Sequence, residues 1–290
     1  MKPVAFDYHR PETVPEAAAL LAELREDAAV MSGGMTLGPM LNLRMVRPRA
    51  VVDVSRIAAL KSITLTDKAV VTGAAVVQAD AMRSELIEKE VPLLALGLPW
   101  VGHFQTRNRG TLGGSVAHAD PSAEIPLCLV VCGGTVVLQS KKRERRVPAV
   151  EFFQGALTTQ RQYDELVTAL EWPRAAKDAG HAFIEIAERH GDFALAAAAC
   201  TLRIDASGKL LELSLGLGGV ENRPIRIDVR QFIGRGALAS AAEIAAHASN
   251  IVSPMEDHAA SADFRRALTL NLVQRVIEAA VADGKKRGGL

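Results

Sequence analysis

The sequence predicts an α+β protein built in three successive blocks, and three observations carry that expectation. The opening residues alternate strand, helix and strand around a Gly-Gly pair, the middle mixes hairpins with apolar helices, and the last third runs as long apolar strands followed by two helices. Strands gathered into hairpins, with helices after them, argue against one doubly wound sheet. The 290 residues leave room for more than one domain. The expected boundaries are 1–60, 61–176 and 177–290.

In the first block, residues 6–9 read as a short strand. Thr13-Val-Pro-Glu16 is a capping box, with Thr13 placed to cap and Glu16 to reach back. Val14, Ala17, Ala18, Leu20, Leu21 and Leu24 then recur at helical spacing. Residues 28–31 form a brief apolar strand that runs into Gly33-Gly34, and βα units of this kind place ligands at the carboxyl ends of their strands. A short helix over 37–45, carrying Asn42 and Arg44, and a strand over 50–54 complete the block.

The second block opens with a hairpin, in which Ile63 and Leu65 face Val70 and Thr72 across Asp67-Lys68. An amphipathic helix is expected over 78–90, and Pro92 opens another that runs to about Phe104. Residues 106–121 read as a glycine loop, followed by an apolar helix over 122–131 and strands over 135–139 and 145–150. The basic run 141–146 falls between apolar stretches and is expected to be a solvated hairpin tip. A strand over 165–173 closes the block, and the polar, glycine-terminated stretch 175–180 is the expected linker. Residues 181–187, 194–204 and 210–217 then read as an antiparallel meander turning at Asp205-Ala-Ser-Gly208, with helices over 238–247 and 261–282 at the end.

Composition excludes several functions. A formal charge of +1 supplies no general attraction to nucleic acid. The longest apolar run, 193–200, falls well short of the roughly 18 residues of a membrane span, and residues 1–10 break into polar side chains before a signal-peptide core forms. A cytoplasmic location is therefore expected. Cys128, Cys132 and Cys200 sit in apolar surroundings and read as reduced core thiols. Three cysteines are too few for an iron-sulfur cluster, which normally takes four thiolates.

The chemistry-bearing residues concentrate in two Gly-Gly stretches, Ser32-Gly33-Gly34-Met35-Thr36 and Thr111-Leu112-Gly113-Gly114-Ser115. Glycine turns tightly and lets a ligand approach the main chain, and converging backbone N–H groups make an anion site. The hydroxyls of Ser32, Thr36, Thr111 and Ser115 add donors, so the pair has the makings of a diphosphate clamp. Taken singly, each is also the signature of an ordinary turn. Gly234-Arg-Gly-Ala-Leu-Ala239 matches a loose dinucleotide pattern but lacks a clean strand before it and reads as the start of a helix. His118 and Asp120 have no second pair at ligand spacing, so no metal site is expected, and no nucleophilic triad is evident. Glu185 and Glu188 lie beside a charged turn and read as solvated. No catalytic residue emerges; the signals are for holding a ligand.

The stretch Gln105-Thr-Arg-Asn-Arg-Gly-Thr-Leu-Gly-Gly-Ser-Val-Ala-His-Ala-Asp-Pro-Ser-Ala-Glu124 closely resembles the flavin-binding medium subunits of the molybdenum hydroxylases, the family of carbon monoxide dehydrogenase and xanthine dehydrogenase. Ser32-Gly-Gly-Met-Thr36 resembles the family's first diphosphate loop, Asn42-Leu-Arg44 the segment after it, and Arg189-His-Gly-Asp-Phe-Ala-Leu195 its third-block motif. Pro254-Met-Glu-Asp-His-Ala-Ala-Ser-Ala-Asp-Phe-Arg-Arg266 resembles the approach to the last helix.

The resemblance implies a two-part FAD-binding domain of the PCMH type, a small βαβ unit plus a larger mixed unit, followed by a C-terminal antiparallel sheet with helices. It implies FAD held by Ser32, Gly33, Gly34, Met35, Thr36, Thr111, Gly113, Gly114 and Ser115, with Glu124 near the nucleotide part and Arg189 and Asp192 near the flavin. It also implies partners: a large molybdopterin-binding subunit and a small [2Fe-2S] subunit, assembled as a dimer of heterotrimers. This chain would pass electrons from the partner's clusters to an external acceptor. A free-standing FAD oxidoreductase and a flavin-less assembly subunit are the competing readings. The chain departs from the family pattern at three places: Met35 replaces a polar side chain, Asn42 replaces a lysine that would have faced phosphate, and Glu185 stands where some branches have lysine.

Overall fold

The computed structural model describes residues 2–288, arranged as three larger sheets with helices between and outside them. The first sheet comes from β1 (Asp7–His9), α1 (Val14–Leu24), β2 (Ala28–Met31), α2 (Leu37–Asn42) and β3 (Ala50–Asp53). Its order is β1-β3-β2, and both pairings are parallel. Helix α1 starts where the capping box puts it: the Thr13 hydroxyl accepts from the Glu16 N–H, and the Glu16 carboxylate accepts from the Glu12 N–H. Ala17 and Leu21 carry the buried stripe of α1 against Val52 of β3, in a cluster that includes Ala75 and Leu166 from the second block.

The second block contains β4 (Ile63–Leu65), β5 (Ala69–Gly73), α3 (Gln78–Met82), α4 (Glu85–Glu90), α5 (Pro92–Gly97), α6 (Phe104–Arg107), α7 (Leu112–His118) and α8 (Glu124–Val131). It continues with β6 (Thr135–Gln139), β7 (Glu144–Pro148), α9 (Ala149–Phe152), β8 (Phe153–Gly155), β9 (Thr158–Thr159) and β10 (Leu166–Pro173). The main sheet has the order β4-β5-β10-β6-β7 and is antiparallel throughout. The basic run does turn the β6–β7 hairpin, where the Ser140 hydroxyl accepts from the N–H groups of Lys142 and Arg143.

Three expectations for this block are corrected. The helix over 78–90 is two helices, because Ser84 caps a new one by accepting from the Ile87 N–H. The helix opened by Pro92 does not reach Phe104; it ends in a 3₁₀ turn over Leu98–Trp100, and Gly102 turns the chain at φ +47°. The central stretch is not a glycine loop, since Leu112–His118 is α-helical with Thr111 as its N-cap.

The third block is β11 (Gly180–Ile186), β12 (Ala196–Ile204), β13 (Leu210–Gly218), β14 (Ile225–Ile227), α10 (Ala237–Ile251) and α11 (Ala262–Gly288). The expected three-stranded meander is present, turning at Asp205 to Gly208, where Gly208 has φ +80°, and β14, which the sequence reading did not include, extends it to four strands. Gly236 stands just before α10, so Gly234-Arg-Gly236 begins a helix as its sequence suggested. The alanine-rich sequence of β12 follows from its position between two helical layers. Ala196, Ala198, Cys200 and Leu202 point to α10 and α11, while Ala197 and Ala199 share a core with Phe183 and α8. Small side chains on both faces let helices approach the sheet closely. All eight residues of α8 are buried in this sandwich, which is why it reads as apolar all round.

Arg265, in the first turn of α11, ties the third block together. Its guanidinium donates to both carboxylate oxygens of Asp257 at 2.8 Å, to the Leu195 carbonyl at 2.5 Å and to the Gly219 carbonyl. It is 2 % exposed. Removing one partner of a buried pair typically costs about 3–5 kcal/mol because the other charge and the carbonyls lose their partner. Arg265→Ala is therefore expected to destabilise the chain by about that amount in denaturant unfolding. Arg230→Ala, which breaks an exposed pair with Asp228, should cost less than about 1 kcal/mol.

Candidate functional site

The carboxyl end of β2 and the start of α7 face each other across a cleft of about 830 Å³. That lies at the large end of the roughly 300–1,000 Å³ range of ligand sites. All three blocks line it. Ser32, Gly33, Gly34, Met35 and Thr36 come from the first block, Thr111, Gly113, Gly114, Ser115 and Glu124 from the second, and Asp192 from the third. Of the residues expected at the site, only Arg189 does not line the cleft; it is exposed one turn away, where its carbonyl accepts from the Asp192 N–H. Asn42 is also exposed and outside the lining, at the far end of α2, so a lysine there would not have faced the cleft.

In each Gly-Gly stretch one glycine packs directly on another segment's main chain. A Cβ on Gly33 would sit 2.0 Å from the Arg109 carbonyl oxygen, and one on Gly113 would sit 2.6 Å from the Ala74 Cα. Both distances are far inside van der Waals contact, so the glycines are required by close packing of backbone on backbone. Only Gly34, at φ +71°, uses glycine's freedom to take a left-handed turn.

The stretches differ in what they offer a ligand. In α7 every N–H of the first turn is engaged internally: Leu112 donates to the Val76 carbonyl, Gly113 to the Ala74 carbonyl, Gly114 to the Thr111 hydroxyl and Ser115 to the Thr111 carbonyl. The expectation of backbone N–H groups aimed at a ligand from both stretches is thus corrected for the second one. What α7 presents is hydroxyls on a rigid wall. In the first stretch the N–H groups of residues 33–37 have no acceptor among the described residues. The Ser32 hydroxyl and the Gln78 Oε1, both facing the cleft, are buried without a partner. Buried polar atoms seldom go unpaired, so this set is arranged for a polar ligand.

Charge in the cleft is sparse. Arg161 is the only lysine or arginine among the described lining residues, and sequence reading missed it because a single arginine in a polar loop carries no signal. Its Nη1 donates to the Gln162 and Glu165 carbonyls, which holds the guanidinium in the wall, and burial pushes its pKa down. Glu165 is neutralised by Arg145, whose Nε and Nη2 reach its two oxygens at 2.7 and 2.9 Å. Burial, reinforced by Asp120, pushes the Glu124 carboxyl up to about 7. At the mouth, His190 stacks on Trp100 with centroids 5.4 Å apart, and Gly191 at φ +92° rests against His103. These contacts bring Asp192 and Phe193 of the third block over the second. No group of three or more metal-ligating side chains occurs among the described residues, and none of their helices is long and apolar enough to cross a membrane.

A parallel βα unit with its glycine turn at the strand ends, closed by a second block across a long cleft, is the architecture of a dinucleotide-holding protein. Comparison with known proteins narrows the class. Residues 4–175 match the family model for the FAD binding domain in molybdopterin dehydrogenase, and residues 181–280 match that for the CO dehydrogenase flavoprotein C-terminal domain. The chain is 36 % identical to the caffeine dehydrogenase subunit beta of Pseudomonas sp. strain CBB1, over 96 % of its own length and 95 % of the relative's. It is 32 % identical to the carbon monoxide dehydrogenase medium chain of Hydrogenophaga pseudoflava, over 97 % and 99 %. The solved carbon monoxide dehydrogenase of Hydrogenophaga pseudoflava superposes with a TM-score of 0.94 at 32 % identity, covering 98 % of this chain and 99 % of that one. Quinoline 2-oxidoreductase from Pseudomonas putida 86 gives 0.92 at 33 % identity, covering 98 % and 99 %. The chain belongs to the FAD-binding medium subunits of the carbon monoxide dehydrogenase and xanthine dehydrogenase type, oxidoreductases of the molybdenum hydroxylase family.

The free donors of the first stretch, the orphaned Ser32 hydroxyl and the glycine-lined walls fit FAD, whose diphosphate accepts hydrogen bonds and whose length needs an extended cleft. The capping role of Thr111 is open to test. Thr111→Ala removes the acceptor for the Gly114 N–H and should lower stability by about 1 kcal/mol in chemical denaturation, whereas Thr111→Ser should retain most of it.

Proposed function

We propose that this chain holds one FAD in the cleft and works as the electron-transfer subunit of a multi-subunit molybdenum hydroxylase. In this reading the backbone N–H groups of residues 33–37 and the Ser32 and Thr36 hydroxyls take the diphosphate. Arg161 supplies the nearby positive charge, and Thr111 and Ser115 contribute hydroxyls from the opposite wall. Glu124 belongs to the nucleotide end, and Asp192 and Phe193 to the mouth. Bound FAD supplies the two-electron to one-electron exchange; the chain supplies binding, orientation and exclusion of water.

The observation that carries the proposal is the unpaired donor set on the first stretch, directed into a cleft to which all three blocks contribute. It favours a cofactor-bearing chain over a flavin-less assembly subunit. The cysteines support the partners. Cys128 and Cys200 are buried and unpaired, burial and neighbouring Cys132, Glu124 and Glu185 push the Cys128 thiol far up, and burial pushes Cys132 up to about 12. In this reading electrons reach the cleft from [2Fe-2S] clusters on a small subunit, and substrate is oxidised on a large molybdopterin-binding subunit. From here they leave for an external acceptor. Relatives named for caffeine, carbon monoxide and quinoline share this architecture almost end to end, which supports a substrate choice made on the partner. A dimer of heterotrimers in the cytoplasm and boundaries at 1–60, 61–176 and 177–290 complete the proposal.

Purification with the products of the neighbouring genes tests it directly. The expected complex contains one FAD per chain together with molybdenum and iron, and a colourless chain that never co-purifies with a molybdenum subunit contradicts it. Within the chain, Gly34→Ala places a side chain at φ +71°, a strain of about 1–2 kcal/mol that drives the free turn out of the donor-presenting conformation and must be repaid when FAD binds. The expected result is an FAD affinity lower by about tenfold or more, read by flavin fluorescence, since 1.4 kcal/mol is tenfold.

A further inference from the structure

The face of β11 that meets the second block carries His181, Phe183 and Glu185. Glu185, expected in solvent, is 5 % exposed, whereas Glu188 is exposed as expected. His181 is 4 % exposed and stands at a second cavity, of about 550 Å³, between the third sheet, the start of α5 and the end of α8. This cavity shares no lining residue with the long cleft, and its size is within the usual range of ligand sites.

Strand register sets its floor. His181 is opposite Thr201, Thr201 is opposite Ser214, and two residues on Gly216 is opposite Arg226, so strand alternation puts all of them on one face. That face packs on α8: the Ser214 hydroxyl donates to the Val131 carbonyl at 2.7 Å, and a Cβ on Gly216 would lie 2.4 Å from Val131 Cγ2. Across the cavity, Pro92, Leu93 and Val131 make an apolar wall. Burial pushes the neighbouring Cys132 thiol up to about 12, so it adds no charge.

One polar group inside the cavity is unused. The His181 N–H donates to the Asp283 carboxylate at 2.9 Å, and Nδ1 lies 3.1 Å from the Thr201 hydroxyl, which together fix the ring. Nε2 is buried with no partner among the described residues. Such atoms are rarely left unpaired. Burial pushes the imidazole down to about 4, so at neutral pH the ring is uncharged and carries one N–H. Because the Thr201 hydroxyl can donate to Nδ1 or accept from it, Nε2 is free to take either role. At the rim, Arg174 is held by Glu90 at 2.7 Å, and Arg203 by Asp178 and Glu212 at 2.9 and 2.8 Å. Arg226 is exposed and has no acidic partner among the described residues. The lining thus holds three arginines and a single carboxylate, Glu212, which favours an anion over a cation.

We propose that this cavity is a second binding site, for a small organic anion with a flat apolar body of about two rings. The ligand's carboxylate meets Arg226, its body lies between the sheet and the wall of Pro92, Leu93 and Val131, and a hydroxyl or carbonyl at its far end meets Nε2 of His181. Strands β11 and β14 are the outer strands of the sheet, three strand spacings or about 14 Å apart, which calls for a ligand with its polar groups at opposite ends. The reading of the long cleft does not enter. Occupation fills the seam between the second and third blocks, so the ligand stabilises the folded chain.

The experiment is calorimetric titration of the full chain with 6-hydroxy-2-naphthoate, and with 2-naphthol, which lacks the carboxylate, in the absence and presence of excess FAD. Wild type should bind one naphthoate per chain with a Kd of about 1 mM or tighter, whether or not FAD is present. Arg226→Gln should weaken the naphthoate by about threefold and leave 2-naphthol unchanged. His181→Phe should weaken both by about threefold or more. Arg226→Gln should unfold at the same denaturant concentration as wild type, which shows that this variant folds. No saturable binding of the naphthoate, its displacement by FAD, or equal naphthoate affinity in wild type and Arg226→Gln overturns the proposal.

Discussion

No side chain fits at residue 33. The first block reaches the second by bringing its main chain into contact with the Arg109 carbonyl, and a single added carbon there would lie 2.0 Å from that oxygen. That approach sets the width of the cleft, aims the donors of residues 33–37 across it, and puts the turn after β2 opposite the start of α7. Gly113 repeats the device on the other wall by seating α7 against Ala74. The rest of the site depends on these two contacts, because the first block's own core is small and gains Ala75 and Leu166 from its neighbour.

The two walls then divide the work. A helix whose first N–H groups are all paired is stiff and offers a ligand only its side chains, whereas a turn with unpaired N–H groups is a ready donor site for an anion but is held less firmly. A rigid wall facing an adaptable donor loop suits a long cofactor that must be gripped at its diphosphate. The third block contributes the mouth through His190 on Trp100 and Gly191 on His103, so loss of its packing would open the cleft without touching the glycines.

Much of this was legible in the sequence, for physical reasons that can be named. The capping box at Thr13, the turn at Gly208 and the meander each follow from local chemistry, and local chemistry is what a sequence displays. The start of α7 was misread because Gly113 and Gly114 are poor helix formers; the helix exists there because Thr111 caps it and Leu112 and Val116 are fully buried. The break at Ser84 was likewise hidden inside a continuous amphipathic pattern. Glu185 was misjudged from its charged neighbours, although it shares the register of Phe183, whose face is covered by a helix from another block. Arg161 and Gln78 gave no signal at all, since only the tertiary structure brings them to the cleft.

The central claim is the asymmetry of the two glycine stretches, and amide hydrogen exchange with and without FAD measures it most directly. The account predicts that the amides of residues 33–37 exchange rapidly in the FAD-free chain and become protected when FAD binds. The amides of residues 112–115, already paired, should be slow in both states. Protection that develops on FAD binding at 112–115 while 33–37 continue to exchange rapidly would contradict it.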